Sequence, residues 1–264
     1  MNSTFSFILV NFQSAEQLRA ALISLKTLAE SSGTNEYIIV NNDRTEKELV
    51  DQLRILHPNI SIFHQDQNLG FGEAVNVGAR QATGEILFLV NPDTVLMQAN
   101  FLGLAKAFEF RPTAIYGMAL IRSDGRRESW SAGQFPSLWR LLLTNIFPRM
   151  FSQPWEATSL TKTDWVSGAA CAIRRDFFLS LGGFDSAYFL YFEDVDLARQ
   201  ASDFGAWVGI YPFICFRHTG GGSHKSTRAK KQAYFVSQRL YFKKWRPWLE
   251  WGILSLLHKL IRQT

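Results

Sequence analysis

The chain has 264 residues, 47% of them hydrophobic, and a formal net charge of +5 at pH 7. This length and apolar content predict one large or two small domains with a substantial core and exclude a disordered protein. Its two cysteines, Cys171 and Cys215, form no CxxC pair and no metal-ligand spacing, so a reduced, cytosolic setting is expected. No basic segment or cleavage site precedes the first apolar run, so no signal peptide is expected.

Short apolar runs alternate with helical periodicity through the first hundred residues. The predicted strands are Phe5–Asn11, Tyr37–Val40, Ile60–Phe63 and Ile86–Val90. The alternation predicts a doubly wound α/β sheet, mostly parallel, with helices on both faces. Ligands bind beyond the carboxyl ends of the strands in such sheets, and Asn11, Asn41 and Asp93 lie at or just past such ends.

The regular pattern is weaker from Ile121 to Asp164. Within this region, residues 135–151 are aromatic and leucine-rich, which fits a mobile helix pair or an interfacial segment. Trp165–Arg174 then predicts one buried strand, and Val195–Phe204 predicts a helix that opens at an acidic cluster.

That acidic cluster follows an aromatic run and consists of Glu193, Asp194 and Asp196. Neighbouring acids repel one another and apolar surroundings disfavour ionisation, so the cluster is costly unless a cation, a proton or a substrate hydroxyl uses it. The acid beside the aromatic residues is the better candidate for a general base, because burial raises the pKa of a carboxylate toward neutrality. The structural alternative is that acids in a first helical turn only complement the helix dipole.

Two further positions are candidates for binding a cation or a phosphate. Asp93, in the sequence Asn91-Pro92-Asp93, follows a buried strand, where a carboxylate can hold a divalent cation against a diphosphate. The alternative is an aspartate that bonds its own backbone in a turn. His218 precedes three glycines, and a metal or phosphate contact on a closing loop is expected there, with His224 and Lys225 reaching the same diphosphate. A lone histidine is otherwise structural or exposed.

The order and spacing of several segments resembles the family 2 glycosyltransferases of the GT-A fold, especially bacterial rhamnosyltransferase-like members. The resemblance spans about residues 5–245, and no P-loop, GxGxxG, HExxH or GxSxG motif competes with it. In chain order the matching segments are Ile8–Phe12, Ile39–Asn42, Asn68–Gly72 with Asn76 and Gly78, Leu89–Asp93, Ser167–Ala170 with Arg174, Gly182–Asp185, Phe192–Asp196 and His218.

The resemblance implies an inverting transfer of a sugar from a nucleotide-diphosphate donor to a hydroxyl. Asp194 would be the catalytic base, supported by Glu193, and Asp93 would hold Mg²⁺ or Mn²⁺ with His218 as a further ligand. The donor-binding residues it implies are Asn11, Asn41, Asp43, Asn68, Gly70, Asn76, Asn91 and Asp93. The residues of the implied acceptor and sugar pocket are Trp165, Ser167, Gly168 and Ala169.

Two residues depart from the family pattern. Asn91 stands in place of the first acid of the DxD motif, which leaves one metal carboxylate fewer, and Asn41 stands in place of the usual aspartate after the second strand. The Asn-Pro-Asp variant favours dTDP-L-rhamnose as donor. A rhamnosyltransferase-like enzyme would extend a polyprenyl-diphosphate-linked glycan, which is the expected acceptor. Galactose or glucose transfer is the alternative.

The charge of the chain is unevenly distributed. Residues 1–203 carry 17 basic and 22 acidic residues, whereas residues 204–264 carry 11 basic residues and one acid. We expect a GT-A domain over 1–224, with a nucleotide-sugar half (about 1–120) and an acceptor half (121–224), followed by a basic amphipathic helical segment over 225–264. A basic end predicts an anionic partner, either a membrane or a nucleic acid.

The last apolar segment begins near Trp248 and is about 16 residues long, roughly 24 Å as a helix, which is short for a span and suits a membrane interface. Peripheral contact with the inner face of the cell membrane is therefore expected. The alternative is that its aromatic residues pack on the catalytic domain. A nucleic-acid-binding module would leave Asp93 and the acidic cluster unexplained, so no nucleic acid partner is expected.

Overall fold

One nine-stranded sheet organises the chain in this computed structural model. The structure describes residues 4–29, 35–56, 59–146, 153–219 and 227–263. The strands and helices of the first half are β1 Phe5–Asn11, α1 Ala15–Ala29, β2 Asn35–Asn41, α2 Lys47–Asp51, β3 Ile60–His64, α3 Phe71–Gln81, β4 Ile86–Val90, β5 Thr94–Gln98, α4 Phe101–Phe110 and β6 Ile115–Ile121. Those of the second half are β7 Ala132–Gly133, α5 Leu138–Ile146, β8 Thr161–Lys162, β9 Trp165–Val166, β10 Ala170–Arg174, α6 Arg175–Ser180, α7 Glu193–Asp203, β11 Val208–His218, α8 Thr227–Trp245 and α9 Trp248–Gln263.

The strand order is β3-β2-β1-β4-β10-β6-β11-β5, with β8 beside β11, and β7 and β9 form a separate pair. β1, β2, β3 and β4 are parallel to one another. β10 is antiparallel to both β4 and β6, and β11 is parallel to β6. The carboxyl ends of β1, β2, β4, β6 and β11 therefore lie along one edge of the sheet. β10 begins at that same edge, because Ala170 pairs with Val90, the last residue of β4.

Both faces of the sheet are buried. Phe7 and Leu9 of β1 belong to the core on the side of α1 and α4, and Ile8 and Val10 belong to the core on the side of α3 and α7. A strand buried on both faces needs apolar residues at every position, which is why the strands read as continuous apolar runs. The predicted doubly wound α/β sheet with helices on both faces is confirmed.

Two predicted element boundaries are wrong in ways that matter for the site. The strand predicted over Trp165–Arg174 is interrupted, because Ser167 donates its backbone N–H to Ser131 O (2.8 Å) while β10 pairs with β4. The interruption leaves residues 167–169 as a turn at the edge of the sheet. The helix predicted from Val195 begins two residues earlier, so Glu193 and Asp194 lie in its first turn.

The two C-terminal helices are joined to the rest of the protein by a buried apolar cluster. Its buried members are Leu138, Tyr188, Phe192, Val195, Tyr241, Phe242 and Leu254. The cluster therefore joins α5, α7, α8 and α9. None of the helices in the described part of the chain combines the length and the apolar character needed to cross a bilayer.

Candidate active site

A histidine between two carboxylates lies at the carboxyl edge of the sheet. Nε2 of His218 is 3.1 Å from Oδ1 of Asp93, and its Nδ1 is 2.6 Å from Oε2 of Glu128. The side chains of Asp93 and His218 are only 13% and 15% exposed. Residues 125 positions apart meet here because β11 pairs with β5 so that His218 stands opposite Thr94, the residue after Asp93.

These residues fit a divalent cation. Neighbouring ligands of an octahedral Mg²⁺ lie about 3 Å apart, since each is about 2.1 Å from the ion, and the Asp93 and His218 atoms have that spacing. Glu128 is bonded to the other ring nitrogen of His218, and a carboxylate in that place orients a metal-binding histidine. Burial opposes a charged imidazole, but the hydrogen bonds and charges of Asp93 and Glu128 raise the pKa of His218 to about 10. A cation that bound Nε2 would therefore compete with a proton for that nitrogen.

Asp93 and His218 supply only two protein ligands. Among the described residues no group of three or more His, Cys, Asp or Glu side chains could hold a metal. Magnesium is usually held by one or two carboxylates together with substrate phosphates and water. The edge of the sheet is thus suited to a cation that arrives with a diphosphate.

Asp194 is held at the same edge by backbone hydrogen bonds. Its Oδ2 accepts from Gly168 N at 3.0 Å and its Oδ1 from Val195 N at 2.8 Å. The next residue along the turn, Ala169, accepts the backbone N–H of Asn91 at 2.8 Å. The turn at 167–169 therefore connects the two halves of the site, with Asn91 on the cation side and Asp194 on the other.

Glu193 and Asp194, the acidic pair, differ in their surroundings. Glu193 is buried, and its Oε2 has no hydrogen-bond partner among the described residues. Burial, followed by the charge of Asp194, raises the pKa of Glu193 well above its ordinary value. Burial also raises the pKa of Asp194, although hydrogen bonds from backbone N–H groups oppose that effect. Glu193 therefore retains a proton more readily, which leaves Asp194 as the carboxylate that can accept one.

The raised pKa of Glu193 predicts a pH-dependent stability. Between its ordinary pKa and its raised folded pKa, the folded chain binds more protons than the unfolded chain, so stability falls as pH rises. Glu193→Gln removes the carboxyl group and with it this dependence of stability on pH. We expect the variant to melt at a higher temperature than the wild type at pH 8 and to lose less stability between pH 5 and 8. Thermal unfolding across that range measures the effect.

Glu109→Gln is the matched control, because Glu109 is an exposed residue of α4. The melting temperature of this variant should change with pH as that of the wild type does. Parallel pH profiles for wild type and Glu193→Gln would contradict a proton held on Glu193.

A cavity of about 150 Å³ lies at this edge of the sheet, and Asp93 is among the residues that line it. Four of the eight predicted donor-binding residues line it, namely Asn68, Gly70, Asn91 and Asp93. Gly70 is required there, because its φ is +83° and a Cβ would lie 2.2 Å from Phe189 O. Phe71 also lines the cavity and lies against Gly168, which in turn lies beside Asp194.

The other four predicted donor-binding residues do not line this cavity, and their side chains bond to the protein. Asn11 donates to Asn41 Oδ1 at 2.9 Å, and Asn41 donates to Asp43 O at 2.9 Å. Asp43 accepts from Thr45 N at 2.8 Å. These contacts hold the loops after β1 and β2, and a direct role in donor binding stays a prediction for all three.

The fourth residue, Asn76, lies on α3 and joins that helix to the loop before the acidic cluster. Its Nδ2 donates to Phe184 O and its Oδ1 accepts from Phe184 N, both at 2.8 Å. Its role in donor binding likewise stays a prediction.

Sequence reasoning missed two residues of the site. Asn42 lines the cavity and is buried, and its Oδ1 has no hydrogen-bond partner among the described residues, although its Nδ2 donates to Gly70 O at 2.9 Å. Asn42 stands between Asn41 and Asp43 in the sequence. It differs from both in that it lines the cavity. Glu128 carries no local motif, and only the three-dimensional contact with His218 reveals it.

The segment before the acidic pair is strained. Tyr191 and Phe192 both have φ of 68°, and left-handed backbone costs about 1–3 kcal/mol at a residue with a side chain. Phe189 and Leu190 line the cavity, and Phe189 O accepts from Phe71 N at 3.0 Å. We call residues 188–192 the strained segment.

The four residues predicted for the acceptor pocket lie in β9 and in the 167–169 turn. Ser167 Oγ accepts from Ala169 N at 3.2 Å, and Trp165 is half-buried and donates its Nε1–H to Gln134 O at 3.2 Å. Ser167, Gly168 and Ala169 are thus brought beside Asp194, and their acceptor role stays a prediction. His224 and Lys225 lie outside the described residues.

Comparison with known proteins identifies the family. The sequence model of Glycosyl transferase family 2 matches residues 6–180. The chain is 30% identical over 244 residues to the N-acetylglucosaminyl-diphospho-decaprenol L-rhamnosyltransferase of Mycobacterium tuberculosis, covering 79% of this chain and 78% of that protein. It is 24% identical over 218 residues to the rhamnosyltransferase WbbL of Escherichia coli, covering 78% and 82%.

The crystal structure of GalNAc-T7 with UDP, GalNAc and Mn²⁺ has a TM-score of 0.67 and 15% sequence identity to this chain. The alignment covers 90% of this chain and 47% of that one, so this chain spans about half the length of GalNAc-T7. At this identity the similarity concerns the fold. The chain belongs to glycosyl transferase family 2 and has the GT-A fold.

Proposed function

We propose that this chain transfers L-rhamnose from dTDP-L-rhamnose, with inversion, to a hydroxyl of a polyprenyl-diphosphate-linked glycan. The observation that carries the proposal is the pair of hydrogen bonds from Asn91 to Ala169 and from Gly168 to Asp194. Through the 167–169 turn they connect Asp93, the proposed cation ligand, to Asp194, the proposed base. The two relatives described above are named as rhamnosyltransferases, and one is named for a decaprenol-diphosphate acceptor.

The roles of the residues follow from their surroundings. Asp194 accepts the proton of the acceptor hydroxyl as that oxygen attacks the anomeric carbon, because a hydroxyl is a poor nucleophile until a base takes its proton. Asp93 and His218 would hold the Mg²⁺ or Mn²⁺, and Glu128 orients His218. When bound, the cation would offset the negative charge that develops on the leaving diphosphate. Asn42, which lines the cavity, is a further candidate contact for the donor nucleotide.

Transfer to a defined acceptor tests the proposal. The purified chain is incubated with Mn²⁺, a short-chain polyprenyl-diphosphate N-acetylglucosamine and dTDP-L-rhamnose, and the product is identified by mass spectrometry and by the anomeric configuration of the new bond. Parallel reactions with UDP-galactose and UDP-glucose provide the competing donors. Faster transfer of either hexose, or retention of configuration, would contradict the proposal.

We also propose that the outer face of α9 contacts an anionic membrane. Trp248, Leu249 and Leu256 are exposed apolar residues of this helix, and Trp248 is 80% exposed. The inner face is occupied, since Leu254 and His258 are buried. α9 also carries an exposed lysine, Lys259. An apolar helix face beside a basic residue suits a position in the headgroup region.

Replacing Trp248, Leu249 and Leu256 together by serine should lower partitioning onto vesicles by more than tenfold, because burying each large apolar side chain contributes about 1.5–3 kcal/mol. Sedimentation with vesicles of 70% phosphatidylcholine and 30% phosphatidylglycerol measures the effect. Phe110→Ser is the control, because Phe110 is 83% exposed on α4 and should not alter binding. Equal partitioning of the triple variant and the wild type would contradict the membrane proposal.

A further inference from the structure

The strained segment links the donor cavity to the acidic pair. Phe189 and Leu190 line the cavity, and Tyr191 and Phe192 lead directly into the first turn of α7. Backbone with positive φ at two adjacent aromatic residues persists only where surrounding contacts over-determine it. The contacts that hold this segment therefore decide where α7 begins.

α8 supplies contacts along the length of the segment. Ser237, which is buried, donates its Oγ–H to Leu190 O at 2.8 Å. The rings of Tyr234 and Tyr241 pack against the ring of Phe192, with centroids at 5.3 Å and 5.5 Å. These three α8 residues are spaced by three and four positions, so they lie on one face of the helix.

The same helix also reaches the first turn of α7. Asp196 is fully buried, and its carboxylate accepts from Lys244 Nζ at 2.9 Å and from Trp245 Nε1 at 2.6 Å, both on α8. Tyr188 and Gln200 complete its hydrogen bonds at 3.1 Å and 2.6 Å. A buried carboxylate with four partners is held in one position, and α8 provides its only cationic partner within hydrogen-bond distance among the described residues.

We propose that α8 positions the catalytic base, with Lys244 and Trp245 as positioning residues that act on Asp194 through Asp196. Asp196 follows Asp194 by two residues, and its backbone N–H donates to Phe192 O at 2.8 Å. Displacing Asp196 moves the first turn of α7 and with it Asp194. The inference rests on the proposed function, because it deepens the role of the same base.

Trp245→Phe keeps the ring but removes the N–H that donates to Asp196, and Lys244→Met removes the cation. Each is expected to lower kcat for transfer by about tenfold or more, since a displacement of about 1 Å can cost 10²-fold in rate. The Kd for dTDP should change by less than about twofold, because neither residue lines the donor cavity. A short-chain acceptor without membranes keeps vesicle binding out of the assay.

The matched controls carry the same substitutions on exposed residues. Trp139→Phe changes an exposed tryptophan of α5, and Lys243→Met changes the exposed lysine next to Lys244. Both should retain wild-type kcat. If kcat of Trp245→Phe and Lys244→Met equals that of the controls, or if dTDP affinity falls as much as kcat, the inference is overturned.

Hydrogen exchange gives a second readout that does not depend on the sugar. The amides of the strained segment and of the first turn of α7 should exchange at least about tenfold faster in Trp245→Phe than in Trp139→Phe. Unchanged protection would overturn the inference even for a variant with low activity. If the wild type transfers no rhamnose while the two variants still differ in hydrogen exchange, the result contradicts the proposed function alone.

Discussion

Asp194→Asn is expected to lower kcat for sugar transfer by about 10²–10⁴-fold, the range that general-base catalysis contributes. The amide keeps the shape of the side chain and can still accept from Gly168 N, which now donates to Oδ2 at 3.0 Å. It cannot take a proton from the acceptor hydroxyl. Initial rates at saturating donor and acceptor measure the loss, and titration with dTDP should give a Kd within about twofold of the wild type.

Asp203→Asn is the control for this change, because Asp203 lies on the same helix, is 51% exposed and is 3.7 Å from Arg199. It should transfer sugar at the wild-type rate. A near-normal rate for Asp194→Asn would mean that another group takes the proton, and Glu193 would then be the first to examine.

Asp93→Ala is expected to abolish the dependence of donor binding on a divalent cation. The change removes one of only two protein ligands at the proposed site, a loss of about 3 kcal/mol or roughly 100-fold in Kd. Calorimetric titration of dTDP with Mn²⁺ and with EDTA measures it. The wild type should bind more tightly with Mn²⁺, whereas the variant should bind equally weakly in both.

Glu128→Gln should give a smaller effect at the same site, about 10–100-fold in Mn²⁺ affinity, since it alters only the partner of His218. Asp124→Asn, in an exposed turn, is the control for loss of a nearby negative charge. A Kd for dTDP that is the same for wild type and Asp93→Ala in Mn²⁺ would reject the assignment of Asp93.

The elements that periodicity predicts best are those buried on both faces. The predicted span of β1, Phe5–Asn11, is the observed one, and the predicted β4 also agrees. The strand predicted over Trp165–Arg174 failed at its centre, because Ser167 takes a partner outside the sheet that β10 joins. Local apolar content cannot reveal a change of partner that depends on residues 30 or more positions away.

The residues of the candidate site also differ in whether a local sequence pattern reveals them. Asp93, Asp194 and His218 are visible in the sequence, because each stands in a local pattern of strand end, aromatic run or glycines. Glu128 and Asn42 are not visible there. A contact with His218 marks Glu128, and a place in the cavity lining marks Asn42. The sequence also placed Asn11 and Asn41 among donor-binding residues, while the structure pairs their side chains with each other.

The sequence alone determined the α/β alternation, the family resemblance and the principal acids, because these depend on residue type and spacing within short segments. Only the tertiary structure decided that Asp93 meets His218, that the turn at 167–169 reaches Asp194, and that α8 packs on the strained segment. The physical reason is that such contacts are set by strand pairing and helix packing between distant parts of the chain. No local preference of the backbone encodes them.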